Sequence, residues 1–103
     1  MIARVWRGRT TPANADAYES LLKPELLPGL SKVKGFRGSY LLRRADGPEV
    51  EFITIILMDS LDDVRALAGA DYERSIIPEE RKKYLAQHDA KAAHYHVVAR
   101  QGV

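Results

Sequence analysis

The chain contains no cysteine, which excludes disulfide bonds and thiolate metal sites. It also lacks an apolar segment of the about 20 residues that a membrane-spanning helix needs. Its longest nearly uninterrupted apolar run is the ten-residue stretch EFITIILMDS at positions 51–60. These absences predict a protein with no membrane partner, and the lack of cysteine is compatible with the cytoplasmic location that we expect.

Excess charge of one sign is also small. The formal net charge is +2, from 16 lysines and arginines against 14 acidic residues. Such a balance is weak evidence for a polyanionic partner, so we expect no nucleic acid to bind. With 103 residues, of which 46% are hydrophobic and 29% charged, the sequence predicts a single domain over residues 1–103.

Common catalytic motifs are absent as well. The sequence has no G-x-S-x-G elbow, no phosphate loop and no G-x-G-x-x-G, so neither a hydrolase nor a nucleotide-binding protein is indicated. His88, His94 and His96 are the only imidazoles that a metal ion could use. No carboxylate completes a familiar ligand spacing with them, and we predict no metal site.

The apolar stretch at residues 51–60 predicts a central strand, because neither of its faces could be left in water. One face carries Phe52, Thr54, Ile56 and Met58, and the other carries Ile53, Ile55 and Leu57. We expect the first face to meet the helices and the second to meet a partner subunit.

Other segments predict the remaining elements. A strand over residues 2–9 precedes a helix that starts at Pro12 behind a Thr11 cap, with Ala17, Tyr18, Leu21, Leu22 and Leu26 inward. Residues 33–44 form a second strand with Phe36, Tyr40 and Leu42 on one face, unless Gly35 and Gly38 mark a bulge. A helix follows the Ser60 cap and ends near Gly69, residues 78–87 form a charged helical turn, and residues 93–100 form the closing strand.

This order predicts an α+β, ferredoxin-like βαββαβ fold with a four-stranded antiparallel sheet and the helices on one face. The opposite face is then left bare. A patch of Trp6, Ile53, Ile55 and Leu57 would be an aggregation hazard in water, so we expect a homodimer that packs through its sheet faces.

The segments IARVWRGRT, LLPGL, KGFRGSYLLRR, FITIILMDSLDDVRALAG and HYHVV together resemble the antibiotic biosynthesis monooxygenase (ABM) family. The resemblance spans residues 2–98. It implies a dimeric α+β barrel, and an activity like that of members that are cofactor-independent oxygenases of phenolic or quinol intermediates. The family also includes haem-degrading enzymes.

The resemblance implies that haem-degrading members carry Asn on the first strand, Trp at the end of the third strand and His on the second helical segment. The corresponding positions here are Arg7, Met58 and Ile77. No matching imidazole is present to hold iron. We therefore expect that the protein does not degrade haem and that it uses no cofactor.

Cofactor-free oxygenation needs an apolar cavity, a base of near-neutral pKa, and a donor or cation that stabilises the substrate anion. The candidate bases are His88, His94 and His96. The candidate substrate-binding residues are Arg7, Arg37, Tyr40, Met58, Tyr72 and Tyr84, with Arg4 as a further anion partner. Each has a structural interpretation too: His94 and His96 as interface residues, His88 as a solvated residue of a helical tail, and Trp6 and Met58 as packing residues.

Two other functions compete with oxygenation. A non-catalytic dimeric module that binds ligands or acts in a stress response would use the same scaffold. An RNA-recognition domain has the same element order, and Lys34, Gly35 and Phe36 imitate the start of its aromatic motif. The residues that follow, Arg37 and Gly38, do not continue the motif, and the string lies on the second strand instead of the third.

Overall fold

The fold was analysed in a computed structural model that describes residues 1–26, 29–74 and 79–102. The elements in chain order are β1 (Ile2–Thr10), α1 (Pro12–Leu26), β2 (Phe36–Asp46), β3 (Glu49–Met58), α2 (Leu61–Ala68), α3 (Glu79–Lys82), β4 (Leu85–His88) and β5 (Ala93–His96).

The strands form one antiparallel sheet in the order β2-β3-β1-β4, and β5 also pairs with β1. β4 pairs with the Gly8–Thr10 half of β1, whereas β5 pairs with the Ile2–Val5 half. At the break between them the amide of Asp89 donates to the Arg7 carbonyl at 2.9 Å. The predicted α+β fold is confirmed, but the described residues form five strands instead of four. β4 is an additional strand, and the closing strand predicted over residues 93–100 ends at His96.

The register of β1 against β3 gives the sheet two different faces. Phe52, Ile56 and Met58 point toward α1 and α2, and the residues between them point away, as the sequence predicts. One buried cluster on the helix side contains Ala15, Tyr18, Leu22, Leu26, Val50 and Phe52, and a second contains Ile2, Met58 and Val64. The burial of both clusters fixes which face of each element is inward.

α1 begins as predicted, because Thr11 Oγ1 accepts a hydrogen bond from the Asn14 amide at 3.3 Å. Its inward face is displaced from the predicted one. Ala15 is fully buried while Ala17 is exposed. The prediction that Pro28 helps to end the helix falls outside the described residues.

β2 corrects one prediction. The register shifts between Phe36 and Gly38, so Phe36 lies opposite Met58 and Gly38 lies opposite Leu57. The extra residue turns Phe36 toward the helices, while Tyr40 and Leu42 point to the other face. The expectation that Phe36 shares a face with these two side chains was therefore wrong, and the bulge considered at Gly38 is present.

Trp6 is a second correction. It lies opposite Thr54 in the β1–β3 register, which places it on the helix side of the sheet. From the sequence we expected Trp6 on the bare face together with Ile53. The pairing register decides which face a residue occupies. Trp6 would lie on the bare face only if β1 were shifted by one residue against β3.

The segment after β3 is partly as predicted. Ser60 caps α2 by accepting from the Asp63 amide at 3.2 Å, and Gly69 ends the helix with its amide bonded to Arg65. The predicted helical turn over residues 78–87 was too long, because α3 ends at Lys82 and the chain enters β4 at Leu85. Position 78 itself lies outside the described residues.

The face of the sheet away from the helices carries an open apolar patch beside the charged Arg7. Tyr40 and Leu42 are 47% and 45% exposed beside half-buried Ile55 and Ile53, and Tyr95 on β5 is 54% exposed. In the part of the chain that the structure describes, no helix combines the length and the apolar character needed to cross a membrane.

Candidate functional site

A cleft of about 450 Å³ opens between the sheet and the helices, within the size range of small-molecule sites. We call it the arginine cleft. Its lining residues are Arg4, Glu25, Leu26, Leu30, Ile56, Leu67, Ala68, Arg74 and Arg81. β1 and β3 supply its floor, α1 and α2 supply apolar walls, and the arginines come from three separate segments.

The charges of the arginine cleft are unbalanced. Arg81 pairs with Glu25 at 3.1 Å. Among the described residues, neither Arg4 nor Arg74 has a carboxylate partner. The half-buried Arg4 and the exposed Arg74 therefore lie at the cleft without a counter-charge from the described part of the protein.

A second hollow, of about 370 Å³, lies beside the cleft. We call it the histidine hollow. It is lined by Ile2, Leu61, Tyr72, Glu73, Lys91, Ala92, Ala93, His94 and His96. His94 and His96 share the helix side of β5, opposite Arg4 and Ile2 of β1. Three of the side chains proposed from the sequence, Tyr72, His94 and His96, are thus brought together here.

Arg4 connects the two hollows. Its guanidinium lies 3.0 Å from His94 Nε2 and also donates to the Tyr72 carbonyl. Arginine has donors only, so His94 Nε2 must be the acceptor and the imidazole must be neutral. Burial lowers the pKa of Arg4. The pKa of His94 is lowered by burial and also by the positive charge of Arg4.

Tyr72 holds His94 from its other side. The two rings meet edge to face with centroids 4.9 Å apart and an interplanar angle of 79°. The Arg65 guanidinium covers the Tyr72 ring at 5.3 Å. These contacts fix the orientation of the imidazole relative to Arg4.

His88 lies elsewhere. It is on β4 opposite Gly8, where its ring stacks on Trp6 at 5.9 Å. The sequence placed it in a helical tail, which is wrong because the chain is already extended at Leu85. A third depression, of about 210 Å³, brings His88 and Arg7 together. Within residues 1–26, 29–74 and 79–102, no three histidines and carboxylates are grouped so as to hold a metal ion.

The remaining candidates from the sequence do not line either hollow. Arg7 and Tyr40 point to the bare face, opposite Ile53 and Ile55. Arg37 pairs with Asp59 at 3.1 Å on the surface.

Met58 is 0% exposed within the second core cluster, and Tyr84 packs against the first cluster beneath Lys83. A fully buried methionine has no surface on which a ligand could rest.

Arg74 and Arg81 were missed by the sequence argument. Both occur in a charged part of the chain, where nothing in the order of residues separates them from arginines on the surface. Only the folding of α1, α2 and α3 over the sheet brings them to the cleft that also contains Arg4.

Comparisons with known proteins give the fold a name. No family model and no curated protein sequence matches the chain. A protein assigned as an antibiotic biosynthesis monooxygenase from Bacillus cereus superposes with a TM-score of 0.72 at 13% identity, covering 100% of this chain and 96% of its own. A second protein so assigned, from Nitrosomonas europaea, superposes with a TM-score of 0.71 at 12% identity, covering 98% and 93%.

The haem-degrading protein MhuD of Mycobacterium tuberculosis, solved with two haems bound in its active site, is also similar. Its TM-score is 0.66 at 18% identity, with 99% of this chain and 100% of that chain covered. Identities this low establish a shared fold and leave the reaction to be argued from the site. The chain has the fold of the antibiotic biosynthesis monooxygenases.

Proposed function

We propose that the protein is a monooxygenase that oxidises a small phenolic or quinol-type aromatic substrate with dioxygen, using neither metal nor flavin. The reaction takes place where the arginine cleft meets the histidine hollow. The observation that carries the proposal is the hydrogen bond between Arg4 and His94. It places a neutral imidazole beside a half-buried cation, which are the base and the anion stabiliser that such chemistry needs.

The first step is a proton transfer. A phenolic hydroxyl that enters the junction donates to His94 Nε2 in place of Arg4. His94 takes the proton, and Arg4 then donates to the oxygen that has become negative. Tyr72 keeps the imidazole in place throughout, because its ring and its carbonyl contact His94 and Arg4 respectively.

The second step is oxidation of the electron-rich anion by dioxygen. For an anthrone-like substrate, a ring carbon forms a bond to oxygen, and the resulting substrate peroxide loses water to leave a carbonyl. The balance is R₂CH₂ + O₂ → R₂C=O + H₂O, so the substrate supplies all the electrons. The protein's part is to hold the anion in an apolar site near Ile2 and Leu61 and to stabilise its charge.

Haem is a poor fit to the same site. None of the described residues that line the arginine cleft is a histidine, cysteine, methionine or tyrosine, the side chains that hold haem iron. In the histidine hollow, His94 Nε2 faces the Arg4 cation at 3.0 Å, which opposes the approach of an iron ion. His96 is exposed at the rim, and position 77, where the sequence argument sought an imidazole, lies outside the described residues.

The test is oxygen consumption with 1,8-dihydroxyanthrone and naphthalene-1,4-diol in metal-free, flavin-free buffer. His94→Gln keeps an acceptor for Arg4 but cannot take a proton, so we expect it to lower the rate by roughly 10²- to 10⁴-fold. Arg100→Gln, at an exposed arginine outside both hollows, should leave the rate unchanged.

No uptake above the uncatalysed rate would remove the enzymatic proposal for these substrates. Tight binding of the same compounds without oxygen uptake would favour the non-catalytic ligand-binding module instead.

We further propose that two copies pack through their bare sheet faces in the cytoplasm. Tyr40 and Leu42 are exposed beside half-buried Ile55 and Ile53, Tyr95 is exposed on the same face across β1, and a stable interface needs about 800 Å² from each partner. Sedimentation should give a dimer at micromolar concentration, and Leu42→Glu should give a folded monomer. A monomeric wild-type protein, or a salt-sensitive shift with single-stranded RNA, would contradict this use of the face.

A further inference from the structure

We propose that the substrate carries a carboxylate, which Arg74 and Arg81 bind in the arginine cleft while the aromatic ring reaches Arg4 and His94. The position of the ring rests on the proposed function. The affinity for an organic anion rests on the cleft alone, and it can be tested without any turnover.

The first argument is charge. Three arginines line the cleft against a single carboxylate, that of Glu25. Glu25 is paired with Arg81 at 3.1 Å, and no described carboxylate pairs with Arg4 or Arg74. A guanidinium offers a planar set of donors that matches a carboxylate, and its affinity for one increases when water is excluded. An anionic group on the ligand would supply the missing counter-charge.

The second argument is shape. Ile56 forms part of the floor, and Leu26, Leu30 and Leu67 line the walls, so most of the lining is apolar. A small inorganic anion would leave these side chains against water. An organic acid with a ring or acyl body would cover these side chains and place its charge on the arginines. Small-molecule sites commonly combine apolar walls with a few polar groups in this way.

The third argument is an unused donor. Arg81 Nε is buried and makes no hydrogen bond to any described residue, although the other end of the same guanidinium contacts Glu25. A buried donor without a partner destabilises the state that contains it. Because this atom has no exposed surface, a carboxylate in the cleft would accept from it only after the Arg81 side chain turns toward the ligand.

Isothermal titration with matched acids and amides tests the inference. The pairs are 2-naphthoate with 2-naphthamide, and 1-hydroxy-2-naphthoate with 1-hydroxy-2-naphthamide. Within each pair the ring is constant and only the charge changes. We expect each acid to bind roughly ten- to hundredfold more tightly than its amide, the advantage of charge-assisted hydrogen bonds.

Two substitutions locate the effect. Arg74→Gln should remove most of the preference for the acid, whereas Arg74→Lys should keep part of it because the charge remains. Arg100→Gln is the matched control on an exposed arginine and should keep the full preference. The acid's advantage should also decrease as salt concentration rises, because salt screens partly exposed charges.

Equal affinity of acid and amide in both pairs, or no measurable binding of either acid, would overturn the inference. A preference that survives Arg74→Gln would overturn it too, since the anion would then bind elsewhere. An acid preference without oxygen consumption would leave the inference standing and remove the proposed reaction. Oxygen consumption with neutral quinols but no preference for the acids would overturn the inference and leave the proposed reaction standing.

Discussion

Replacing Gly35 with alanine should destabilise the fold more than the same change at Gly47. Gly35 has a φ of +82°, a conformation that L-residues rarely adopt. A Cβ built on it would lie 2.3 Å from Asp63 Oδ2, 2.4 Å from Cγ and 2.8 Å from Cβ. The last of these atoms is fixed by the backbone of α2, so a rotation of the Asp63 side chain would not relieve the contact.

The expected magnitude has two parts. Holding an alanine at positive φ costs about 1–2 kcal/mol. Moving Asp63 disturbs the Ser60 cap, whose hydroxyl accepts from the Asp63 amide at 3.2 Å, and loss of such a cap costs about 0.5–2 kcal/mol. We therefore expect Gly35→Ala to lower the free energy of unfolding by about 3 kcal/mol.

Gly47→Ala is the matched control. Gly47 also has a positive φ, of 61°, but nothing lies within 4 Å of the position of its Cβ. It should lose only the backbone part, about 1–2 kcal/mol. Both variants can be measured by urea unfolding, with stability read from the midpoint at an unchanged slope. Equal losses for the two glycines would refute the steric reasoning about Asp63.

Three further changes test the core and the junction. Tyr18 Oη is buried without a hydrogen bond to any described residue, and burial raises the pKa of Tyr18 to about 12, so Tyr18→Phe should change the free energy of unfolding by less than about 1 kcal/mol; a loss well above that in urea unfolding would reveal a partner for the hydroxyl. Met58→Ala should lower the free energy of unfolding by about 2–5 kcal/mol, because Met58 is fully buried. An unchanged urea midpoint together with weakened substrate binding would instead support the sequence-based assignment of Met58 as a substrate-binding residue. The fold lowers the pKa of His94 below its ordinary 6.5, so the unfolded chain takes up a proton first as the pH falls, and the stability due to His94 is full above pH 6.5 and is lost below it. His94→Gln should therefore weaken the pH dependence of the free energy of unfolding, measured by urea titration at a series of pH values. An identical pH dependence in the variant would contradict the assignment.

Much of the fold could be predicted because its local signals agree with its burial pattern. The stretch at residues 51–60 has no polar face, so it had to be a central strand, and the caps at Thr11 and Ser60 marked helix starts correctly. Errors arose where register decides. One extra residue before Gly38 turned Phe36 to the helix side, and the face of Trp6 depended on a pairing that alternation within β1 does not specify.

Less of the candidate site could be predicted. Alternation along the closing strand places His94 and His96 on one face, and the structure agrees. It does not reveal that Arg4 is their neighbour, since that requires the pairing of β5 with β1. Arg74 and Arg81 come from segments with no periodic pattern that points inward. Arg74 lies in a segment outside the helices and strands, and Arg81 lies on the short helix α3; sequence spacing carries least information for residues in such segments.

Arg4 departs most clearly from what the fold alone would require. It lies on the helix side of a central strand, between Ile2 and Trp6, where a large apolar residue would pack without desolvating a charge. Its donors reach His94 and the Tyr72 carbonyl, but no described carboxylate neutralises it. Burial lowers the pKa of Arg4, so the folded protein disfavours the charge that it retains. Departures of this kind are expected at functional sites.

The consequence can be measured with Arg4→Leu. If the guanidinium is retained to stabilise the substrate anion beside His94, the substitution should leave the free energy of unfolding unchanged or raise it, while abolishing the oxygen consumption. Urea unfolding and oxygen consumption with 1,8-dihydroxyanthrone, measured on the same preparation, would separate the two effects. A loss of stability above about 2 kcal/mol would show instead that the fold needs the hydrogen bonds from Arg4, and the charge would then be a structural feature of the sheet.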